Sequence, residues 1–178
     1  MVKILKITIK LDIISMITYL YSYVIRYPFH SEIRIDVKTI SWEDLVTLIN
    51  KVFFQGGEIN IVKADTQYNE EFSALTYHDL DNYSLVCDKR YGYLLGCSIS
   101  ENQEYPEGAY LSLINKNEIK SKKVYIFAPF EDEWEAQYIN QDIKIALKIF
   151  KEIYENGYLS TDSKKLFRDN CSTSYSSI

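Results

Sequence analysis

Two histidines, three cysteines and several paired carboxylates are the residues whose chemistry could serve catalysis or metal binding. In Tyr77-His78-Asp79-Leu80-Asp81 a carboxylate beside an imidazole would raise its pKa and hold its tautomer, the arrangement of a general acid or base. No nucleophile or second base is tied to it, so the segment reads as a polar loop rather than an acid/base cluster. Cys87 with His78 would supply a thiolate and its base, yet Cys87 sits in the strand-like run Tyr83 to Asp88, where a small apolar residue is wanted. His30 and His78 lie far apart in different expected elements and no cysteines share a metal-binding spacing, which argues against a metal centre. Gly56-Gly57 leads into a strand rather than a helix, so it does not read as a phosphate cradle. Glu70-Glu71 and Asp79 with Asp81 would suit glycosidase chemistry only at the right separation, and solvated surface charge accounts for them as well. The expectation is a protein with no catalytic residues, no metal and no cofactor.

The distribution of charge is more informative than any single motif. Residues 1–64 carry eight Lys/Arg against six Asp/Glu, residues 65–141 carry six against fourteen, and residues 142–178 carry six against five. All the net acidity is central. The candidate partner-binding residues are therefore Glu70, Glu71, Asp79, Asp81, Glu101, Glu104, Tyr105, Glu107, Glu131, Asp132, Glu133 and Glu135. Tyrosines are interleaved with them, and exposed tyrosine is favoured at interfaces. A basic protein partner would be steered by such a surface, whereas direct contact with nucleic-acid phosphates needs a basic stripe that is lacking. If the clusters share one face they form a docking surface; if they are scattered they serve solubility alone.

The elements that would position these residues follow from periodicity. Lys6 to Leu11 alternates as a strand, Ile13 to Val24 carries a helical stripe behind Asp12 and before Pro28, and Glu32 to Lys38 alternates strictly as a half-wet strand. Ser41 caps a helix over about 42–54, stopped by Gly56-Gly57, and Glu58 to Val62 is again a strand. A short helix is expected near 70–75. Tyr83 to Asp88, Tyr91 to Ser98, Ala109 to Ile114 and Lys123 to Phe127 read as a four-strand antiparallel meander. Glu131 to Asn156 reads as the longest helix, closed by Gly157, and residues 160–178 as a flexible tail rich in Ser, Thr and Asp. The fold class is α+β: a single domain over 1–178, mainly an antiparallel sheet backed by about three helices.

Apolar residues make up 47% and charged ones 25% of 178 residues, enough for a core without cross-links. Sixteen tyrosines against eight Phe and two Trp are the compositional peculiarity. An odd cysteine count fits reduced thiols in a cytoplasmic setting. The apolar stretch from Ile13 to Ile25 has neither a cleavage site nor the roughly 20 residues needed to span a bilayer, so no membrane role is expected.

In its acidic, aromatic segments Asn69 to Tyr83 and Glu101 to Tyr110, and in Phe130-Glu131-Asp132-Glu133-Trp134-Glu135, the chain resembles the immunity proteins of bacterial toxin systems. Those of contact-dependent growth inhibition are the nearest in character. The resemblance implies a non-catalytic protein that neutralises one cognate toxin domain, often a nuclease, by covering a basic surface. Those families differ in fold, so it speaks to role rather than architecture. Two other readings stand beside it: a small-ligand-binding domain or enzyme using a pocket near His78, and a subunit of an oligomer that associates through apolar surface.

Overall fold

The computed structural model describes residues 18–26, 31–36, 40–64, 81–127 and 132–170, with side chains from residue 40 onward except 62–64. Strands β1 (Thr18–Arg26), β2 (Ser31–Asp36), β3 (Gly57–Ala64), β4 (Asn82–Asp88), β5 (Gly92–Ile99), β6 (Ala109–Leu113) and β9 (Phe167–Asp169) form one antiparallel sheet in the order β2-β1-β3-β4-β5-β6-β9. A separate hairpin joins β7 (Val124–Phe127) to β8 (Asp132–Glu135). Helices α1 (Trp42–Gln55), α2 (Ile143–Asn156) and the single turn α3 (Thr161–Lys164) complete a single-domain α+β arrangement.

Helix α1 forms where capping and stripe agree. Ser41 Oγ accepts the Asp44 N–H at 3.1 Å, Glu43 and Asp44 complement the positive helix end, and Leu45, Ile49 and Val52 are buried on one side. Gly56, at φ +83°, turns the chain out and donates its N–H to Val52 O. The sheet then supplies the matching face by strict alternation. Ile59 and Ile61, Tyr83, Leu85 and Cys87, Tyr93, Leu95 and Cys97, and Leu111 and Leu113 pack in one cluster with α1 and with Ala146, Ile149, Phe150 and Ile153 of α2. Two of the tyrosines belong here: Tyr83 and Tyr93 are among the largest fully buried side chains. Tyr93 Oη donates to Asp142 O at 2.9 Å and Tyr154 Oη to Ile40 O at 2.8 Å, so these two tyrosine hydroxyls are satisfied.

Four expectations are corrected. The stretch read as a helix over Ile13 to Val24 contains strand β1 from Thr18 onward; Thr18, Tyr19, Tyr21, Tyr23, Val24 and Ile25 favour extended backbone, and the strand is paired on both sides, by β2 and β3. The meander holds for β4 to β6, but β7 leaves the sheet to pair with β8. The last helix does not begin near Glu131, because Asp132 to Glu135 is strand β8, Ala136–Tyr138 is a 3-10 turn, and Asp142 caps α2 by accepting the Lys144 N–H at 3.0 Å. The part of the tail from 160 to 170 is structured: Ser160 caps α3, and β9 adds an edge to the sheet beside β6. The strand read over Lys6 to Leu11, the short helix near 70–75 and residues 171–178 lie outside the described residues. The strands at 32–38, 58–62 and 83–98, the helix at 42–54 and the stop at Gly157 fall where periodicity puts them, to within a few residues.

The start of α2 is tied to the sheet by a two-way backbone bridge. Tyr93 N–H donates to Asn140 O at 2.7 Å and Asn140 N–H donates to Tyr93 O at 2.9 Å. Gly92 makes the approach possible. Its φ is +117°, and a Cβ there would stand 2.2 Å from Asn140 O. Gly92→Ala is expected to cost about 3 kcal/mol, from backbone strain and the clash together. Thermal unfolding should show a melting temperature lower by several degrees; a melting temperature within a degree of the parent would show that the bridge is dispensable.

Candidate functional site

The expected docking residues that are described divide into two groups at opposite ends of β4 and β5. At one end Asp81 accepts the Ser100 N–H at 2.9 Å, beside the β5–β6 loop that carries Glu101, Glu104, Tyr105 and Glu107. Asn102 Oδ1 orders that loop by accepting the N–H groups of Glu104 and Tyr105 at 2.8 and 2.9 Å. Glu104 and Tyr105 are occupied internally. Lys164 Nζ donates to Glu104 at 2.5 Å and stands 5.4 Å from the centre of the Tyr105 ring, tying the loop to α3; its hydrogen bond holds the Glu104 carboxyl below the usual range. Glu101 and Glu107 are exposed.

At the other end, beyond the β4–β5 turn, stands the β7–β8 hairpin. Tyr125, Phe127 and Trp134 face the sheet and pack with Val86, Tyr91 and Leu94, and the Tyr91 and Tyr125 rings lie 4.9 Å apart. Arg90 pins the hairpin from the turn: its guanidinium holds buried Asp88 at 2.6 and 3.0 Å and donates to Ile126 O at 3.3 Å. The outer face is unusual in content. Register places Val124 opposite Glu135 and Ile126 opposite Glu133, so two β-branched side chains and two glutamates share one side. Val124 is 50% and Ile126 55% exposed. Among the described residues no cation pairs with Asp132, Glu133 or Glu135; Glu135 accepts a hydrogen bond from Gln137 Nε2.

The twelve expected docking residues therefore do not make one face. Asp132, Glu133 and Glu135 come together; Asp81, Glu101, Glu104, Tyr105 and Glu107 form a second, partly neutralised group; Glu70, Glu71, Asp79 and Glu131 lie outside the described residues, as does His78. Sequence reasoning assigned Asp132 to Glu135 to a helix and so overlooked Val124 and Ile126. The available signal was alternation in Val124-Tyr125-Ile126-Phe127 and Asp132-Glu133-Trp134-Glu135, a hairpin pattern across Pro129.

A second feature lies on the helix side of the sheet. A cleft of about 420 Å³ opens between α2, the chain leaving β6 and the α3–β9 connection, with Leu113, Ile145, Ile149 and Leu166 as apolar walls and Lys116, Lys144 and Lys148 around it. Its far wall is braced by Glu152, whose carboxylate accepts from Ser160 N–H and Ser163 Oγ. The two described thiols offer no nucleophile: Cys87 and Cys97 are in the core, where burial pushes both up and keeps them protonated. Among the described residues no group of three His, Cys, Asp or Glu could hold a metal ion, and no helix is long and apolar enough to cross a membrane. No protein-family model, curated protein or solved structure matches the chain.

Burial raises the Glu152 carboxyl, but hydrogen bonds from Ser163 and Ser160 and the charge of Lys148 outweigh it and leave it below its ordinary value of 4.5. A depressed carboxyl stabilises the fold above the unfolded pKa and ceases to do so as pH falls through the folded one. Glu152→Gln should thus cost about 1 kcal/mol near pH 7, and the difference in melting temperature from the parent should close as pH drops below 4.5. A difference that is constant with pH would contradict this role.

Proposed function

We propose that the chain is a non-catalytic binding protein that docks a basic protein domain on the outer face of the β7–β8 hairpin. The reading that best fits its character is an immunity protein, with a cognate toxin domain as partner. One observation carries the proposal: Val124 and Ile126 are exposed on one side of β7 and stand opposite the uncompensated carboxylates of Glu135 and Glu133. Each component has a separate role in association. Apolar side chains supply contact area that binding removes from water, and unpaired glutamates raise the encounter rate with a basic surface and select against acidic ones.

Support for this surface over the β5–β6 loop comes from charge accounting. Glu104 already has Lys164 as its counter-ion and would have to give it up on binding. Glu133 has none to lose.

The test is affinity for a toxin domain encoded beside this chain, measured by calorimetry on the purified pair. Glu133→Lys with Glu135→Lys should weaken binding by at least about tenfold and flatten its salt dependence, and Val124→Ser with Ile126→Ser should weaken it comparably. Charge reversal at Glu101 and Glu107 should change it less than about threefold. Equal losses from both surfaces, or losses from the loop alone, would overturn the assignment to the hairpin.

A further inference from the structure

We infer that the cleft beside α2 binds a small organic dianion, a phosphate monoester carried on an apolar body. The site is separate from the hairpin, and the inference does not rest on the docking proposal. Three observations converge on it.

The first is charge. In a chain of net charge −5, Lys116, Lys144 and Lys148 line one concavity, and among the described residues none of the three forms an ion pair with a carboxylate. Glu152 is the nearest competitor, close enough to feel Lys148, but its two oxygens are committed to Ser160 and Ser163.

The second is the cost of the arrangement. Lys144 is in the first turn of a 14-residue helix, the positive end, where a cation is disfavoured, and Lys148 is a like charge four residues on. Asp142 at the cap offsets part of this. Glu152 offsets part of the Lys148 charge as well, and what stays unfavourable at Lys144 a bound anion would relieve.

The third is shape. A volume of about 420 Å³ is that of a small-molecule site, and the walls Leu113, Ile149 and Leu166 are apolar, with Ile145 exposed between the two helix lysines. The wall opposite α2 is held in advance. Asn115 Nδ2 donates to Ile139 O at 2.9 Å and Asn115 N–H to Gln137 O at 2.7 Å, which fixes the turn that presents Lys116. Three ammonium groups favour a dianion over a single carboxylate, and a phosphate monoester carries about −1.5 to −2 near neutral pH. The apolar walls distinguish an organic ester from free phosphate.

The probe is 1-naphthyl phosphate, titrated into the full chain by amide NMR, with inorganic phosphate and 1-naphthol as separate arms. Expected are saturable shifts at Asn115 to Asn117 and Lys144 to Ile149, with each control ligand at least tenfold weaker. Lys144→Glu, which leaves Lys148 beside Glu152, should weaken the ester at least tenfold and leave the melting temperature equal or higher, since it replaces a cation in the first helical turn by an anion, so lost binding cannot be lost folding. Lys116→Gln, on a turn rather than the helix, should weaken binding several-fold. Absence of saturable shifts, shifts centred elsewhere, naphthol or phosphate binding as well as the ester, or unchanged affinity in the lysine variants would each overturn the inference.

Discussion

Two reciprocal hydrogen bonds between Tyr93 and Asn140 govern how the two halves of the molecule meet. They hold the chain that leaves β8 against the first full residue pair of β5, and Tyr93 Oη reaches on to Asp142 O, at the cap of α2. The start of α2 takes its position from this contact, together with the bonds from Asn115 to Gln137 O and Ile139 O. On one side of the sheet it sets where the hairpin stops; on the other it sets where α2 begins and therefore which face of that helix enters the core. Gly92 is the residue that permits it, because only a chain without Cβ lets Asn140 O approach so closely. Both candidate surfaces hang from the same joint: the hairpin precedes Asn140, and Asn140 itself lines the lysine cleft.

The sheet divides the chemistry as well as the packing. Its helix side is the main core, with Ile49, Val52, Ile59, Leu85 and Cys97 wholly enclosed. Its other side carries a smaller cluster of Leu94, Phe127 and Ile139 under the hairpin. A hairpin of two short strands is marginal alone, so the Tyr125, Trp134 and Arg90 contacts are what allow it to hold its outer residues exposed. Burial on the inner face and exposure on the outer are two consequences of one alternation.

Periodicity was legible wherever a single face was buried. The helix at 42–55 and the strands β3 to β6 follow from stripe, cap and alternation because local preference and tertiary environment agree there. It misled where two periods coexist. Leu20, Tyr21 and Val24 continue a helical stripe while Tyr19, Tyr21, Tyr23 and Ile25 recur at every second residue, and pairing to two neighbouring strands decides between the two periods. Residues 131–142 read as part of the helix that follows because the acidic run Glu131 to Glu135 suits the positive end of a helix, whereas the cap in the structure is Asp142. That error hid the hairpin, and with it the apolar half of the candidate docking surface. The lysine cleft was illegible for another reason: Lys116 and Lys148 are distant in sequence and meet only through the packing of α2 against the chain after β6. Net acidity was real but did not imply one acidic face, since ends of a strand pair can each collect carboxylates.

The central claim is that partner recognition uses the outer face of the hairpin. Hydrogen exchange of the backbone amides, compared between the free chain and its complex with the cognate domain, tests this most directly. Protection concentrated in residues 124–127 and 132–135 is the predicted result. Protection centred on the 100–108 loop or on α2, with the hairpin exchanging as it does in the free protein, would contradict it.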